Sequence, residues 1–284
     1  MIEIEAATVL LQWAVGGLLF GWVTTRRREV GLGYGWMIRI SFGLMAVLAA
    51  VVGFSGDDPG LREVGSIGVA AAAALALLSS VVRRRAGVAG QRDVVDKRTA
   101  RVAAMTGIDR DEQRFDRSVT EFDPRLDLIA PAIGLVALIA AGMDAGDPAA
   151  LAVARTLIGA AFLGALTDAM LLGHWYLVQP GLARSPLLEI VRWTGLLWPV
   201  ELIVLLWPTG MVSVINGDID DGYNGLLGWF WIASTVTTIV LVFVTRAALR
   251  ERQYAAVMAA TGLLYLAILT GFGMDLVARV LLDT

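Results

Sequence analysis

The chain has 284 residues, of which 57% are hydrophobic and 17% charged, with a formal net charge of −3 at pH 7. An average soluble domain is about half apolar and a quarter charged, so the composition excludes an ordinary soluble globule, a disordered chain and a nucleic-acid reader. The absence of cysteine excludes disulfides, thiolate metal sites and thiol nucleophiles, and a lone histidine, His174, excludes any site needing two imidazoles from one chain.

Apolar stretches near 20 residues with few charges mark membrane-crossing helices. Eight occur, at 6–24, 35–54, 64–82, 128–143, 151–178, 187–208, 226–245 and 254–274. None alternates apolar and polar residues with period two, which disfavours an outer-membrane barrel, and helices satisfy their own backbone groups as lipid demands. The expected fold is therefore all-α, a polytopic membrane bundle of about eight transmembrane helices, forming one domain over 1–284.

The start MIEIE lacks the basic region of a secretory signal peptide, so the first span is expected to stay as an anchor, followed by Arg26, Arg27 and Arg28. The glycines of GLGYG at 31–35 follow no strand and precede no Walker lysine, so this loop is expected to be a flexible joint and not a phosphate cradle. Arg39 lies close enough to the boundary to snorkel. The third span is rich in alanine, yet GDDPG before it and RRR after it still support a crossing.

Residues 83–127 form the only sizeable polar segment, with eleven basic and nine acidic side chains. Within it 91–105 has the pattern of an amphipathic helix, with Val94, Val95, Val102 and Met105 roughly on one side. Such a helix suits a lipid surface or a partner protein, and a solvated hairpin is the plainer alternative. A loop of this length holds no catalytic core of its own. The fourth span is short and contains Pro131, the fifth is long, and Pro199 interrupts the sixth, where it frees the carbonyl of Gly195. Gly17 with Gly21 and Ala160 with Gly164, each pair four apart, suit close helix packing.

Orientation follows from arginine. The connections 25–34, 83–127, 179–186 and 246–253 carry 3, 11, 1 and 3 of the chain's 23 basic residues, whereas the opposite side carries Asp57, Asp58, Asp144, Asp147, Asp218, Asp220 and Asp221. The positive-inside rule puts the arginine-rich loops, 83–127 included, in the cytoplasm and both termini outside. One lysine against twenty-two arginines, with much Ala, Val and Gly, points to a GC-rich genome and hence to the inner membrane of a prokaryote.

Ionisable groups inside hydrocarbon are functional suspects, and they cluster on the fifth and sixth spans. Thr167, Asp168 and His174 belong to the fifth; Glu189, Arg192 and Glu201 to the sixth. At 1.5 Å per residue, Asp168 lies about 6 Å inward of the midplane and Glu201 about 5 Å outward. Together with Thr167 they define a polar path between the fourth, fifth and sixth helices, beside the short and broken spans that point to a midplane site. Glu189 and Arg192, three apart, form either a local ion pair or part of an inner-interface site. Asp275 and Arg279, four apart, look like an interfacial pair. His174 is either a haem or quinone contact or an interfacial anchor beside Trp175 and Tyr176; Met170, on the same helix, cannot supply an opposite axial ligand.

No nucleotide-binding, GxSxG or HExxH motif occurs, and no metal site is expected. The leading expectation is a non-enzymatic, permease-like protein that moves protons or a small solute, with Asp168 and Glu201 as protonatable steps. The alternative is a non-catalytic subunit of a larger membrane complex, for example a respiratory one, with His174 near a haem or quinone and the loop 83–127 as the dock for a partner. A weaker third option is an intramembrane enzyme acting on a lipid headgroup through Glu189, Arg192 and His174.

Overall fold

A computed structural model describes residues 6–56, 60–92, 104, 115–116, 118–146, 148–179, 182–251 and 253–282. Among these residues there is no strand. The helices are α1 (Ala6–Thr25), α2 (Leu32–Phe54), α3 (Leu61–Val82), α4 (Ile129–Asp144), α5 (Ala149–Val178), α6 (Ser185–Leu206), the short α7 (Gly210–Ile215), α8 (Leu226–Ala248) and α9 (Tyr254–Leu282), with 3-10 turns at Arg84–Ala86 and Pro124–Leu128. Most of the amphipathic stretch 91–105 lies outside the described residues.

Seven segments are long and apolar enough to cross a membrane: α1, α2, α3, α5, α8, α9 and Pro124–Asp144. α6 has 22 residues but carries Glu189, Arg192 and Glu201. The surface is apolar where a soluble protein would be polar: Leu75 and Val82 on α3, Trp229 and Phe243 on α8 and Leu269 on α9 are exposed, while Gln12, Thr156, Thr194 and Thr261 are buried. This is the architecture of a multi-pass membrane protein, whose outer surface meets acyl chains and whose polar groups must find partners inside.

The fourth crossing is not short. The 3-10 turn runs directly into α4, giving a continuous 21-residue segment, and Pro131 falls in the first turn of α4, where no intrahelical hydrogen bond is lost.

α5 is the axis of the bundle. Its 30 residues extend about 45 Å, and it packs against α1, α4, α6 and α9. The α1 crossing is a backbone contact: a Cβ on Gly16 would lie 1.8 Å from the carbonyl oxygen of Ala160, and one on Gly164 would lie 2.1 Å from the carbonyl carbon of Gly16. Only glycine permits that approach. Trp13 of α1 packs on Phe272 of α9 at 5.0 Å between ring centroids, so the beginning of α1 and the second half of α9 share one end of the bundle.

The other end is tied by ion pairs. Arg39 is not a snorkelling residue: it is buried and donates two hydrogen bonds of 2.7 Å to Asp127, with its guanidinium 4.4 Å from the centroid of the Phe122 ring. Glu121 pairs with Arg28 at 3.3 Å and with Arg92. These contacts, with Ala86, Val88 and Phe122 buried, hold the described parts of 83–127 against the bundle instead of leaving them as a solvated hairpin.

Candidate functional site

Two buried polar clusters flank α5, and each contains one of the carboxyl groups expected to line a path. Asp168 is 0% exposed and neither of its oxygens accepts a hydrogen bond from a described residue. It faces α1 and α2. A Cβ on Gly21 would stand 3.7 Å from Asp168 Oδ2, and the buried hydroxyl of Tyr34 lies within electrostatic range. Tyr34 is likewise without a hydrogen-bond partner. The neighbouring Thr167 accepts a hydrogen bond from Trp13 Nε1 at 2.8 Å and donates to the Leu163 carbonyl at 2.7 Å, so its hydroxyl is fully engaged in joining α1 to α5.

Glu201 is also 0% exposed, with both oxygens lacking a hydrogen-bond partner. Its surroundings are different. It faces Asp275 and Arg279 of α9, and these two form a bidentate ion pair with distances of 2.7 and 2.9 Å. Asp275 is 1% exposed and Arg279 5%, which makes this a buried pair and corrects the expectation of an interfacial one. Gly159 on α5 makes room for it: a Cβ there would lie 2.2 Å from Arg279 Nη2 and 2.8 Å from Asp275 Oδ1. One turn nearer the end, Arg155 closes the same side of α5 by donating to the carbonyls of Val204 and Trp207, both at 2.9 Å.

The structure does not bring Asp168 and Glu201 together. Gly159, which touches the Glu201 cluster, and Asp168 are nine residues apart on α5, half a revolution at 100° per residue and about 13.5 Å along the axis. The partners of Asp168 come from α1 and α2, and those of Glu201 from α9. Neither carboxyl is reached by a described polar group of α4.

The inner-interface set is not assembled either. Glu189 binds Arg26, and Arg27 at 3.0 Å, not Arg192, which is exposed. Spacing within one helix is overridden because two guanidinium groups at the end of α1 lie closer. His174 sits on the exposed side of α5, with Nδ1 3.1 Å from the Tyr265 hydroxyl of α9. Among the described residues no group of three His, Cys, Asp or Glu is placed to hold a metal ion.

Sequence reasoning missed the roles of four residues: Asp275 and Arg279 as partners of Glu201, Arg155 as a buried cation, and Tyr34. Arg155 carried a usable signal, since a basic residue within an apolar span is itself a functional suspect. The others depend on which helix lies beside which.

Compared with known protein families, curated proteins and solved structures, the chain matches none.

Proposed function

We propose that this protein is a permease-like membrane protein with eight crossings that moves protons or a small solute, and that its proton-binding step is the cluster of Glu201, Asp275 and Arg279. One observation carries this reading: a fully buried carboxyl lies beside an ion pair whose guanidinium is already engaged by another carboxylate. Two carboxyls and one guanidinium leave one negative charge uncompensated, and an uncompensated charge in hydrocarbon is costly. A single proton on the carboxyl pair restores neutrality. Losing and regaining that proton changes the cluster's charge by one, which is the elementary event a proton carrier needs. Asp168, half a revolution away, is a second and separate protonatable group instead of the next step on the same route.

The arginine-rich connections favour a cytoplasmic placement for 25–34 and 83–127, both termini outside, and the inner membrane of a prokaryote. α6 supplies the eighth crossing: Glu189 near its start meets Arg26 and Arg27, while the carbonyls of Val204 and Trp207 at its far end meet Arg155.

Vesicles containing the purified protein and a trapped pH dye, driven by an imposed membrane potential, test the proposal. Proton entry above that of protein-free vesicles is expected, abolished by Glu201→Gln and retained at least in part by Asp168→Asn. Entry equal to protein-free vesicles, or unchanged in Glu201→Gln, would refute it.

A second reading, a subunit of a larger membrane assembly with a haem or quinone beside His174, is favoured by the exposure of that side chain on the bundle surface. This chain supplies one imidazole and no opposite ligand, so a haem there would draw its second ligand from a partner subunit. An absorbance spectrum of protein purified from its native membrane decides: a Soret band lost in His174→Ala supports this reading, and a colourless protein migrating alone refutes it.

A further inference from the structure

The ends of α2, α3 and α5 meet around a pocket of about 390 Å³ that is separate from both carboxyl clusters. Its walls include Trp36 from the first turns of α2, Arg84 and Arg85 from the turn after α3, Gln91, and Trp175 and Gln179 at the end of α5. Three features define its chemistry. The first is charge. Arg84 and Arg85 are adjacent and exposed, and Arg84 has no ion-pair partner among the described residues. Asp116 lies within electrostatic range of Arg85, but its Oδ1 accepts from both the N–H and the hydroxyl of Ser118, at 2.9 and 2.6 Å.

The second feature is the sense of the polar groups. Gln179 accepts a hydrogen bond from Trp175 Nε1 at 3.1 Å. That contact engages its carbonyl oxygen and leaves its amide N–H groups to donate. Trp36 spends its own N–H on Ser80 at 3.0 Å. What remains in the wall is the two guanidinium groups, the amides of Gln91 and Gln179, which can donate as well as accept, and aromatic surface.

The third feature is the floor. A Cβ on Gly33 would stand 2.9 Å from Trp175 Cη2, and one on Gly31 would stand 2.7 Å from Gln91 Nε2. The glycines expected to form a flexible joint are instead what lets the tryptophan and the glutamine close on the loop.

We infer that this pocket binds a phosphate group that carries net negative charge, with no cation of its own to offset it, and that Arg84 and Arg85 are its charge partners. Paired guanidinium groups match the several acceptor oxygens of a phosphate. The surrounding tryptophans are of the kind that sits at a membrane–water boundary, and basic pockets between helix ends at that depth hold anionic lipid headgroups. The volume accommodates a glycerophosphate headgroup. The same donors would also take a free phosphate.

The test is native mass spectrometry of the detergent-solubilised protein titrated with phosphatidylglycerol, with phosphatidylcholine of the same chains, and with inorganic phosphate, in the wild type and in Arg84→Gln/Arg85→Gln. One phosphatidylglycerol is expected to bind the wild type at least tenfold more tightly than phosphatidylcholine, and to lose that preference in the double variant. Release of this lipid by millimolar inorganic phosphate would show that the site takes the phosphate group alone. Retention against phosphate would assign it to the lipid headgroup. If the double variant does not fold, loss of the wild type's preference on raising ionic strength serves in its place. Equal binding of both lipids by wild type at low salt, or an unchanged preference in a folded double variant, would overturn the inference.

Discussion

In its effect on folding stability, as distinct from proton entry, Glu201→Gln is expected to be nearly silent in the native background and severe once Asp275 has become asparagine. In the native cluster the bidentate contact gives Arg279 its counter-charge from Asp275, and the Glu201 carboxyl lies beside Asp275, within reach of a shared proton. With Glu201 holding the proton, its amide has the same shape and charge, and the change should amount to less than about 1 kcal/mol. Asp275→Asn removes the counter-ion of a guanidinium that is 5% exposed. Breaking a buried pair in this way typically destabilises by about 3–5 kcal/mol. Here Glu201 can give up its proton and take over, so about 1–3 kcal/mol is expected instead. The double variant has no carboxyl left to do so and should lose the full 3–5 kcal/mol. The coupling between the two sites is then about 1–3 kcal/mol, well above what independent positions show. Reversible unfolding in mixed detergent micelles, followed by tryptophan fluorescence at pH 7, measures all four corners of the cycle. Strict additivity, or a Glu201→Gln variant as unstable as the double, would show that Glu201 is ionised in the resting protein, and the proton-sharing account would fall.

Three further outcomes are expected. Gly164→Val places a side chain where a Cβ already lies 2.1 Å from the backbone of Gly16; because the obstacle is backbone, α1 and α5 must separate, at a loss of about 1–3 kcal/mol or more, with Trp13 losing its 2.8 Å bond to Thr167, seen as a red shift in emission and a lowered melting point. In the loop before α8, burial pushes the Asp221 carboxyl up, but the N–H groups of Gly225, Tyr223, Leu227 and Gly228 outweigh it and hold the carboxyl below the ordinary aspartate value. A lowered folded value means that the stabilisation is present above the unfolded value, near 4, and fades as pH falls through the folded one. Pepsin should therefore cut 216–225 increasingly below pH 4 in the wild type, whereas Asp221→Asn should be cut at all acidic pH values; identical profiles would contradict this. Finally, because the chain has no cysteine, single cysteines at Glu251 and Asp144, both exposed, report sidedness directly. An impermeant thiol reagent should label position 144 from outside intact cells and position 251 only in inverted vesicles; the reverse pattern would overturn the arginine-based orientation.

The helices were legible in the sequence because a bilayer imposes a length and a composition on each crossing. The interior contacts were not, for a reason visible at particular residues. Glu189 and Arg192 satisfy the spacing of a helical ion pair, yet Arg26 and Arg27 from another element reach Glu189 first. Asp275 and Arg279 satisfy the same spacing and do pair, but their burial depends on Gly159 opposite. Arg39 waits for Asp127, 88 residues away. Spacing along one helix indicates which contacts are available; the neighbouring helix decides which of them forms.

α5 shows where that limit bears on function. Its sequence carries apolar and small residues on every side, as expected of a helix buried all round, and this uniformity conceals that its two polar faces serve different neighbours. Gly16 and Gly164 bring α1 into backbone contact on one side, and Gly159 admits the Asp275–Arg279 pair on the other. Asp168 and Glu201 are thus separated by the thickness of the helix and not merely by depth. A proton moving between them would have to pass around α5. The geometry thus holds two separate carboxyl sites, of which the one at Glu201 adjoins the Asp275–Arg279 ion pair.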